Sequence, residues 1–323
     1  MKFEAIFTSV SKCIMELAKI EHIETDDPLQ NFTPEIFITA SGYETRATAI
    51  AQKIDDRVNR KIALSYEEFS REHARLHNDL YFKNNQYEII RYSSSESPDY
   101  HNVIKNIDKD QVNILFDISC MTKRWYHSFF QYLHSALHGT NRIHLRIVYF
   151  PSEFSEISNE GKFKGMTSAY NEKYTPRENK KTALFLGISQ DSLCASKIID
   201  FYKPDDLFLF YSDPATDKRF IEKVFINNHQ LIESIAIRNL LSYPINNGRK
   251  IFQMLADQAL LLRLDHRIVI VPQGPKIFAL VSMALQLSYP DIQICYPDVR
   301  YKKVADRKPA GKPVILDLIF ENE

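Results

Sequence analysis

The sequence predicts an α/β protein built from two tandem Rossmann-like domains, each with a parallel β-sheet. Three observations predict this fold. Short β-branched and aromatic runs alternate with helical patterns from Glu35 onward, as in sheets whose strands are connected by helices. The alternation stops between Pro151 and Lys181, where Ser, Glu, Gly and Lys dominate, and then restarts. At 323 residues, the chain is long enough for two domains of ordinary size.

The second half repeats the strand pattern of the first. Five strands are predicted in the first half, at residues 35–40, 62–66, 87–92, 112–116 and 143–150. Four of them have counterparts, beginning at Ala183, near Ile235, at Ile268 and at Asp291. Each counterpart follows its partner by roughly 150 residues, and such a constant spacing is typical of an internal duplication.

This pattern divides the chain into four segments. Residues 1–30 are predicted to be an N-terminal helical segment, because apolar side chains recur at helical spacing up to about residue 22. Residues 31–155 form the first domain and residues 182–323 the second. Residues 156–181 are a connector, which we expect to be a loop or hairpin that reaches over a site, because long irregular segments are often functional.

Composition limits the function. The 41 Lys and Arg residues balance 41 Asp and Glu residues, which argues against binding extended duplex nucleic acid, since such proteins normally carry a basic surplus. The four cysteines, Cys13, Cys120, Cys194 and Cys295, are far apart and form no CxxC pair, which indicates free thiols in a reducing cytoplasm. No apolar run is long enough to span a membrane, and the N-terminus does not resemble a signal peptide.

Polar turns follow the first and fourth strands of each half. If the strand order is 3-2-1-4-5, these turns meet at a crevice at the carboxyl edge of the sheet, where α/β proteins bind ligands. In the first half, the crevice would bring together Ser41, Gly42, Glu44, Arg46, Asp117, Ser119, Thr122 and Lys123. In the second half, it would bring together Gly187, Ser189, Asp191, Gln273, Gly274 and Lys276. Lys123 and Lys276 hold equivalent places beside helix N-termini, which favour a phosphate or another anion.

Two interpretations of the charged residues stay open. Glu44 and Arg46 can form a structural ion pair, with Asp117 holding its turn together. Alternatively, Arg46 and Lys123 bind phosphate while Glu44 or Asp117 acts as a general base or holds a divalent metal ion. The glycines and hydroxyls can likewise be turn and capping residues. No metal site is assigned, since His127, His134 and His138 share a helix without an acidic partner.

The turn Asp117-Ile118-Ser119-Cys120-Met121-Thr122-Lys123 resembles the strand-four motif of the CRISPR-associated Rossmann-fold (CARF) superfamily. That motif is usually an Asn, an apolar residue, Thr, two Gly, Thr and Lys. The segment Pro272-Gln273-Gly274-Pro275-Lys276 is similar to a proline-containing short form of the same turn. Asp117 stands where the family has Asn, Cys120 and Met121 replace both glycines, and the SGYETR turn at residues 41–46 has no assigned counterpart.

The resemblance implies a ligand and a cellular role. CARF domains sense cyclic oligoadenylates or related nucleotide messengers between two such domains, and some cleave them as ring nucleases. It implies ligand contacts from Ser41, Ser119, Thr122, Lys123, Ser189, Gly274 and Lys276. The leading hypothesis is a cytoplasmic nucleotide sensor of prokaryotic antiviral defence, with a separate effector protein and a homodimer among its expected partners. The alternatives are a ring-nuclease-like phosphodiesterase that uses Glu44, Arg46, Asp117 and Lys123, and a non-catalytic interaction subunit of a defence complex.

Overall fold

The structure is a computed structural model that describes residues 15–54, 57–104, 110–136, 140–156, 162–168, 180–300 and 306–322. Its strands are β1 (Met15–Ile23), β2 (Ile36–Ser41), β3 (Arg60–Tyr66), β4 (Glu88–Tyr92), β5 (Gln111–Asp117), β6 (Arg142–Tyr149), β7 (Lys162–Ser168), β8 (Lys181–Gly187), β9 (Asp206–Ser212), β10 (Leu240–Tyr243), β11 (His266–Val271), β12 (Gln293–Arg300) and β13 (Val314–Asn322). Its α-helices are α1 (Ala51–Ile54), α2 (His73–Asn84), α3 (Tyr100–Val103), α4 (Lys123–Ala136), α5 (Ser192–Tyr202), α6 (Lys218–Asn227), α7 (His229–Ser234), α8 (Gly248–Leu262) and α9 (Lys276–Ser288). Short 3-10 turns cover Thr45–Thr48 and Ile237–Asn239.

Two mixed, mainly parallel sheets confirm the predicted fold class. The first sheet has the order β1-β13-β6-β5-β2-β3-β4 and the second has the order β10-β9-β8-β11-β12-β7. Strands β2 to β6, which with their helices we call the first half, are parallel and have the spatial order 3-2-1-4-5. Strands β8 to β12, the core of the second half, have the same order. The two halves therefore share one Rossmann-like topology.

Each half also gives one strand to the other half. After β6, the chain crosses over and β7 pairs antiparallel with β12 of the second sheet. After β12, the chain crosses back and β13 pairs antiparallel with β6 of the first sheet. Strand β1 then covers the outer edge of β13. The exchange is reciprocal, and the two halves are therefore joined through their backbones as well as through side chains.

A shared core lies between the two sheets. Helices α4 and α9 pack against each other, and α8 and α9 both contact β1. Helix α9 is buried on all sides from Ile277 to Gln286, as expected for a helix that is apolar all round. Helix α4 contributes an aromatic face to this core, since Trp125, Tyr126, Phe129, Phe130 and Tyr132 are all buried. One continuous cluster of apolar side chains includes residues from both halves.

Three predicted segments need correction. Residues 15–23 form strand β1 instead of a helix, while residues 1–14 lie outside the described part of the chain. A register shift between Leu17 and Lys19 interrupts the two-residue alternation, so the apolar spacing imitates a helix. The connector contributes β7 to the second sheet. The third strand of the second half is β10, because the segment near Ile235 ends α7 and enters a 3-10 turn.

The last strand of the chain belongs to a different sheet from the one predicted. Residues 314–322, predicted to belong to the second domain, are β13 of the first sheet. The apolar pattern of residues 314–322 predicts a buried strand but does not indicate in which of the two sheets that strand lies. None of the helices in the described ranges has both the length and the apolar character needed to cross a lipid bilayer.

Candidate functional site

The turns after the first and fourth strands of both halves line one cavity of about 1200 Å³, which we call the interdomain cavity. The strand order explains this position. Strands β2 and β5 are neighbours in the first sheet, and β8 and β11 are neighbours in the second. Their following turns leave in opposite directions and open a crevice in each sheet. In this protein, the two crevices face each other and merge.

Two lysines cross the cavity in opposite directions. Lys123 opens α4 of the first half, and its Nζ donates a hydrogen bond to the carbonyl oxygen of Pro272 in the second half at 2.5 Å. Lys276 opens α9 of the second half, and its Nζ donates to the carbonyl oxygen of Met121 in the first half at 2.5 Å. An ammonium group has three donors. Each lysine therefore keeps donors for a ligand after it has bound its carbonyl.

Burial lowers the pKa of both lysines. Desolvation lowers the pKa of Lys123 to about 8. Desolvation likewise lowers the pKa of Lys276 to about 8, although the nearby Glu44 carboxylate raises it. Both side chains therefore carry mostly positive charge at neutral pH, in a place where water screens that charge poorly.

An ion-pair cluster lies on the first-half wall. Arg46 Nε donates to Glu44 Oε2 at 2.6 Å, and Arg46 Nη1 donates to the carbonyl oxygen of Phe150 at 2.8 Å. Arg307 Nη1 lies 3.4 Å from Glu44 Oε1. Burial by itself would raise the pKa of Glu44, but the charges of Arg46, Lys276 and Arg307 outweigh it and hold that pKa below its ordinary value. Glu44 is therefore an ionised carboxylate and a weak base.

Arg307 reaches this cluster from the crossover that leads to β13. The carboxylate of Asp306 accepts hydrogen bonds from Thr45 N at 2.7 Å and Thr45 Oγ1 at 2.6 Å. The backbone N–H of Arg46 donates to the carbonyl oxygen of Arg307 at 3.2 Å. The crossover is thus tied to the turn after β2. Sequence reasoning missed Arg307 because nothing local indicates that a residue near the end of the chain returns to the first sheet.

The turn after β5 is held by an aromatic side chain. Tyr66 Oη donates to the carbonyl oxygen of Cys120 at 3.0 Å and accepts from Thr122 N at 2.8 Å. These bonds replace the local contacts that glycines would allow and place Cys120 in the cavity wall. Burial, with the Glu44 carboxylate nearby, raises the pKa of the Cys120 thiol. Cys120 is therefore a neutral thiol instead of a nucleophilic thiolate.

The second-half wall is formed by the turn after β11. Gly274 has a φ of 81°, in the left-handed region that favours glycine. A Cβ on Gly187 would lie 2.6 Å from the carbonyl oxygen of Gln273, which explains the glycine after β8 by a close backbone approach. Gln273 Nε2 donates to Cys194 Sγ at 2.8 Å, and its Oε1 has no partner among the residues that the structure describes. This amide oxygen is an acceptor that a ligand could use.

Nine predicted site residues line the interdomain cavity: Gly42, Glu44, Arg46, Thr122, Lys123, Ser189, Gln273, Gly274 and Lys276. Some of them are also engaged in the fold. Thr122 Oγ1 accepts from Trp125 N at 3.4 Å and caps α4, and Ser189 Oγ accepts from Asp191 N at 3.2 Å. Asp191 caps α5 by accepting from Cys194 N. The structural and ligand-binding interpretations of these hydroxyls are thus compatible.

Three other predicted site residues lie behind the cavity wall. Ser41 Oγ donates to Asp79 Oδ1 at 2.6 Å, and Ser119 Oγ accepts from Phe150 N at 2.8 Å. Asp117 is 1% exposed and accepts from Thr39 Oγ1 and Ser119 N. Burial raises the pKa of Asp117, despite these hydrogen bonds. These three side chains are hydrogen-bonded within the fold and are not among the lining residues, and their expected ligand and catalytic roles stay predictions.

In the described part of the chain, no three His, Cys, Asp or Glu side chains converge to hold a metal ion. Cations and hydrogen-bond donors are among the lining residues: the two Rossmann-like halves form one cavity between them, and a lysine from each half points into the other.

The comparisons with known proteins add little to this definition. No protein-family model matches the chain. No curated protein matches it either. Among solved structures, the N-terminal ketoreductase from a macrolactin assembly line is similar over 87% of this chain and 73% of its own, with 8% sequence identity and a TM-score of 0.23. A likeness this weak carries no argument about function.

Proposed function

We propose that the protein binds a small nucleotide in the interdomain cavity and acts as a messenger sensor in prokaryotic antiviral defence. The observation that carries the proposal is the reciprocal reach of Lys123 and Lys276, each of which binds a main-chain carbonyl of the opposite half. Ammonium groups beside helix N-termini suit phosphate oxygens. The defence role is supported by the resemblance of residues 117–123 and 272–276 to the CARF motif.

The size of the cavity favours an oligonucleotide over a single nucleotide. Pockets for drug-sized ligands measure roughly 300–1,000 Å³, and the interdomain cavity is slightly larger, at about 1200 Å³. The formal net charge of zero argues against a long nucleic acid. A short linear or cyclic oligonucleotide agrees with both observations.

The position of the lysines also favours sensing over simple capture. A phosphate that enters the cavity would compete with Pro272 and Met121 for the two ammonium groups, because charged acceptors form stronger hydrogen bonds than carbonyls. Loss or weakening of these crossed bonds would change the contacts that join the halves. Ligand binding would thereby shift the arrangement of one half against the other.

A ring-nuclease-like phosphodiesterase is the second candidate, and the site favours its lysines over its two acidic residues for proton transfer. Asp117 lies behind the wall and Glu44 is ion-paired, so neither is a suitable general base. The lowered pKa of Lys123 and Lys276, about 8, instead favours the lysines for proton transfer. A divalent metal ion would join only in this enzymatic alternative.

The test is calorimetric titration with a panel of linear and cyclic oligonucleotides, followed by chromatography of each mixture. The variants are Lys123→Gln, Lys276→Gln and the double substitution, since glutamine removes the charge but keeps a donor. The control is Lys197→Gln on the exposed face of α5. We expect each cavity lysine to account for about a tenfold loss of affinity, as for one charged hydrogen bond.

Three results separate the candidates. Binding without a cleaved product, weakened by Lys123→Gln but not by Lys197→Gln, supports the sensor. A cleaved product supports the phosphodiesterase. No binding of any panel member, or equal binding by the wild type and the double variant, rejects the nucleotide site and favours a non-catalytic interaction subunit.

A further inference from the structure

The two ends of the interdomain cavity have different chemistry, although the two halves share one topology. Three cations, Arg46, Lys276 and Arg307, surround the single Glu44 carboxylate at the first-half end. The turn after β8 in the second half, at residues 187–191, contains no Glu or Arg. Lys123, which points into the second half, lies beside the Cys194 thiol and over the Tyr296 ring, with its Nζ 5.7 Å from the ring centroid. Positive charge is therefore concentrated at one end.

The first-half cluster has an exposed donor for a phosphate. The Arg46 side chain is 2% exposed and is held by hydrogen bonds to Glu44 and Phe150. The Arg307 side chain is 39% exposed and lies at a longer distance, 3.4 Å, from Glu44. Arg307 can therefore turn to a ligand while Arg46 keeps Glu44 neutralised. A guanidinium binds two phosphate oxygens at once.

The second-half end includes an apolar wall. One face of α6 contributes Phe220, Ile221 and Val224 to the cavity wall, and Tyr211 at the end of β9 adds its ring. Phe220 packs edge to face on Phe154, with ring centroids 5.0 Å apart, which fixes its position. The nearby Arg219 cation is occupied by Asp217. An uncharged planar group is the ligand portion that such a wall accommodates best.

We infer that the ligand is asymmetric: its phosphate-rich end binds Arg307 and Lys276 in the first half, and a nucleobase at its other end packs on α6 in the second half. The inference rests on the proposed nucleotide site and specifies the ligand class for it. A linear oligonucleotide with a terminal phosphate fits this description. A ligand with two-fold symmetry would place an equal charge at the second-half end, where Lys123 would be its cationic partner and where no arginine corresponding to Arg307 is among the described lining residues.

The test compares two probes on two variants. Inorganic pyrophosphate probes the phosphate end alone, and a 5′-phosphorylated linear diadenylate probes both ends. Arg307→Gln removes the exposed cation, with Arg249→Gln on the exposed start of α8 as its control. Ile221→Asn makes the apolar wall polar, with Ile226→Asn on the same helix as its control, since Ile226 is 65% exposed.

We expect Arg307→Gln to weaken both probes about tenfold, as for the loss of one charged hydrogen bond. We expect Ile221→Asn to weaken only the diadenylate, by about fivefold or more, and to leave pyrophosphate within about twofold. The asymmetry is rejected if both variants weaken pyrophosphate binding equally. It is also rejected if Arg307→Gln leaves pyrophosphate binding unchanged.

The two proposals fail in different ways. Failure of the wild type to bind any oligonucleotide rejects the site and the asymmetry with it. Only the asymmetry is rejected if a symmetric cyclic diadenylate binds more tightly than the linear one and Lys276→Gln weakens the binding of both. A thermal unfolding curve for each variant confirms that the comparison is made on folded protein.

Discussion

At the scale of single residues, the site depends on two ammonium groups that are held partly away from water. Lys123 and Lys276 each bind one carbonyl, so the charge is positioned before any ligand arrives. Their burial disfavours the charged form and strengthens its attraction to an anion. The same burial makes the site sensitive to pH near neutrality, which an exposed lysine would not be.

The affinity for a phosphate-bearing nucleotide should fall as pH rises from 7 to 9. Both lysines have a pKa of about 8, so each is only about 10% protonated at pH 9. We expect about a tenfold loss of affinity for each lysine that must be charged, measured by calorimetry across this range. The Lys123→Gln and Lys276→Gln double variant should show a flat profile, and an equal slope in that variant would contradict the prediction.

The contribution of these lysines to the free energy of unfolding should rise with pH, whereas the affinity falls. In the unfolded chain, the lysines release their protons only near the ordinary pKa of about 10.4. Between pH 8 and that value, the unfolded chain binds more protons than the folded protein, so these lysines make the free energy of unfolding rise with pH. Below pH 8, the two buried charged lysines therefore lower the free energy of unfolding by the full amount. This destabilisation decreases as the pH rises above 8. Urea unfolding of the wild type and the double variant gives this difference directly.

Gly187→Ala should destabilise the protein. A Cβ at Gly187 would lie 2.6 Å from the carbonyl oxygen and 3.0 Å from the nitrogen of Gln273, and neither backbone atom can move away easily. We expect the free energy of unfolding to fall by about 1–3 kcal/mol, measured in urea. Gly42→Ala is the matched control, since its Cβ would meet Cys120 Cβ at an ordinary 3.5 Å. A similar loss in both variants would disprove the close-approach explanation.

At the scale of elements, the crossover segment 306–310 connects the second half to the site on the first. Asp306 binds both donor groups of Thr45. The N–H of Ala310 donates to the carbonyl oxygen of Pro151, which ties this crossover to the one that leads to β7. The segment therefore positions Arg307 and joins the first-half ion-pair cluster to β13. Any ligand that moves Arg307 also acts on this connection.

Asp306→Ala should loosen this connection without unfolding the protein. We expect faster hydrogen exchange at residues 44–47 and 306–310, because one charged acceptor with two donors is lost. Nucleotide affinity should fall about threefold to tenfold, since Arg307 would no longer be held in place. Asp205→Ala is the control, because Asp205 accepts a similar bond from Thr182 N and does not line the interdomain cavity. Unchanged exchange at residues 44–47 would show that Asp306 does not position this turn.

At the scale of the whole molecule, the exchanged strands make the two halves one folding unit. Strand β13 pairs with both β6 and β1, so the first sheet is incomplete without the end of the chain. Strand β7 completes the second sheet in the same way. The shared core around α4, α8 and α9 adds side-chain contacts to these backbone ladders. Tandem domains joined only by a linker would unfold independently.

The full chain should therefore unfold in a single cooperative transition, measured by calorimetry and by circular dichroism. Residues 1–179 lack β13, which joins β1 to β6, and residues 180–323 lack the edge strand β7. Each segment, expressed alone, should therefore aggregate or remain partly unfolded, because it also exposes part of the shared core. The two segments expressed together should associate and recover the ligand affinity. Two separate transitions, or a well-folded 180–323 segment with native stability, would refute the interlocked arrangement.

Local sequence patterns predicted most of the two parallel sheets. Runs such as residues 112–116 are apolar, β-branched and followed at once by a polar turn, so their strand state is determined locally. The pairing of turns after strands one and four followed from the strand order of doubly wound sheets. For this reason, nine of the predicted site residues do line the cavity.

The rest could not be predicted because it depends on distant contacts. Residues 15–23 have an irregular pattern that becomes a strand only because β13 offers an edge to pair with. Ser119 and Asp117 have the residue types of a ligand site, yet their side chains are used by Phe150 and Thr39. Whether a hydroxyl or carboxylate faces a cavity or a neighbouring strand is decided by side-chain packing, which a single sequence does not reveal.

The sequence by itself thus determined the α/β class, the duplicated strand pattern and the turns that carry Lys123 and Lys276. These features follow from local propensity and periodicity, which act over a few residues. Only the tertiary structure decided that the halves exchange β7 and β13, that their crevices merge, and that Arg307 joins the first-half cluster. These features arise from contacts between residues more than one hundred positions apart. A local sequence pattern does not specify which of these distant residues pair with each other.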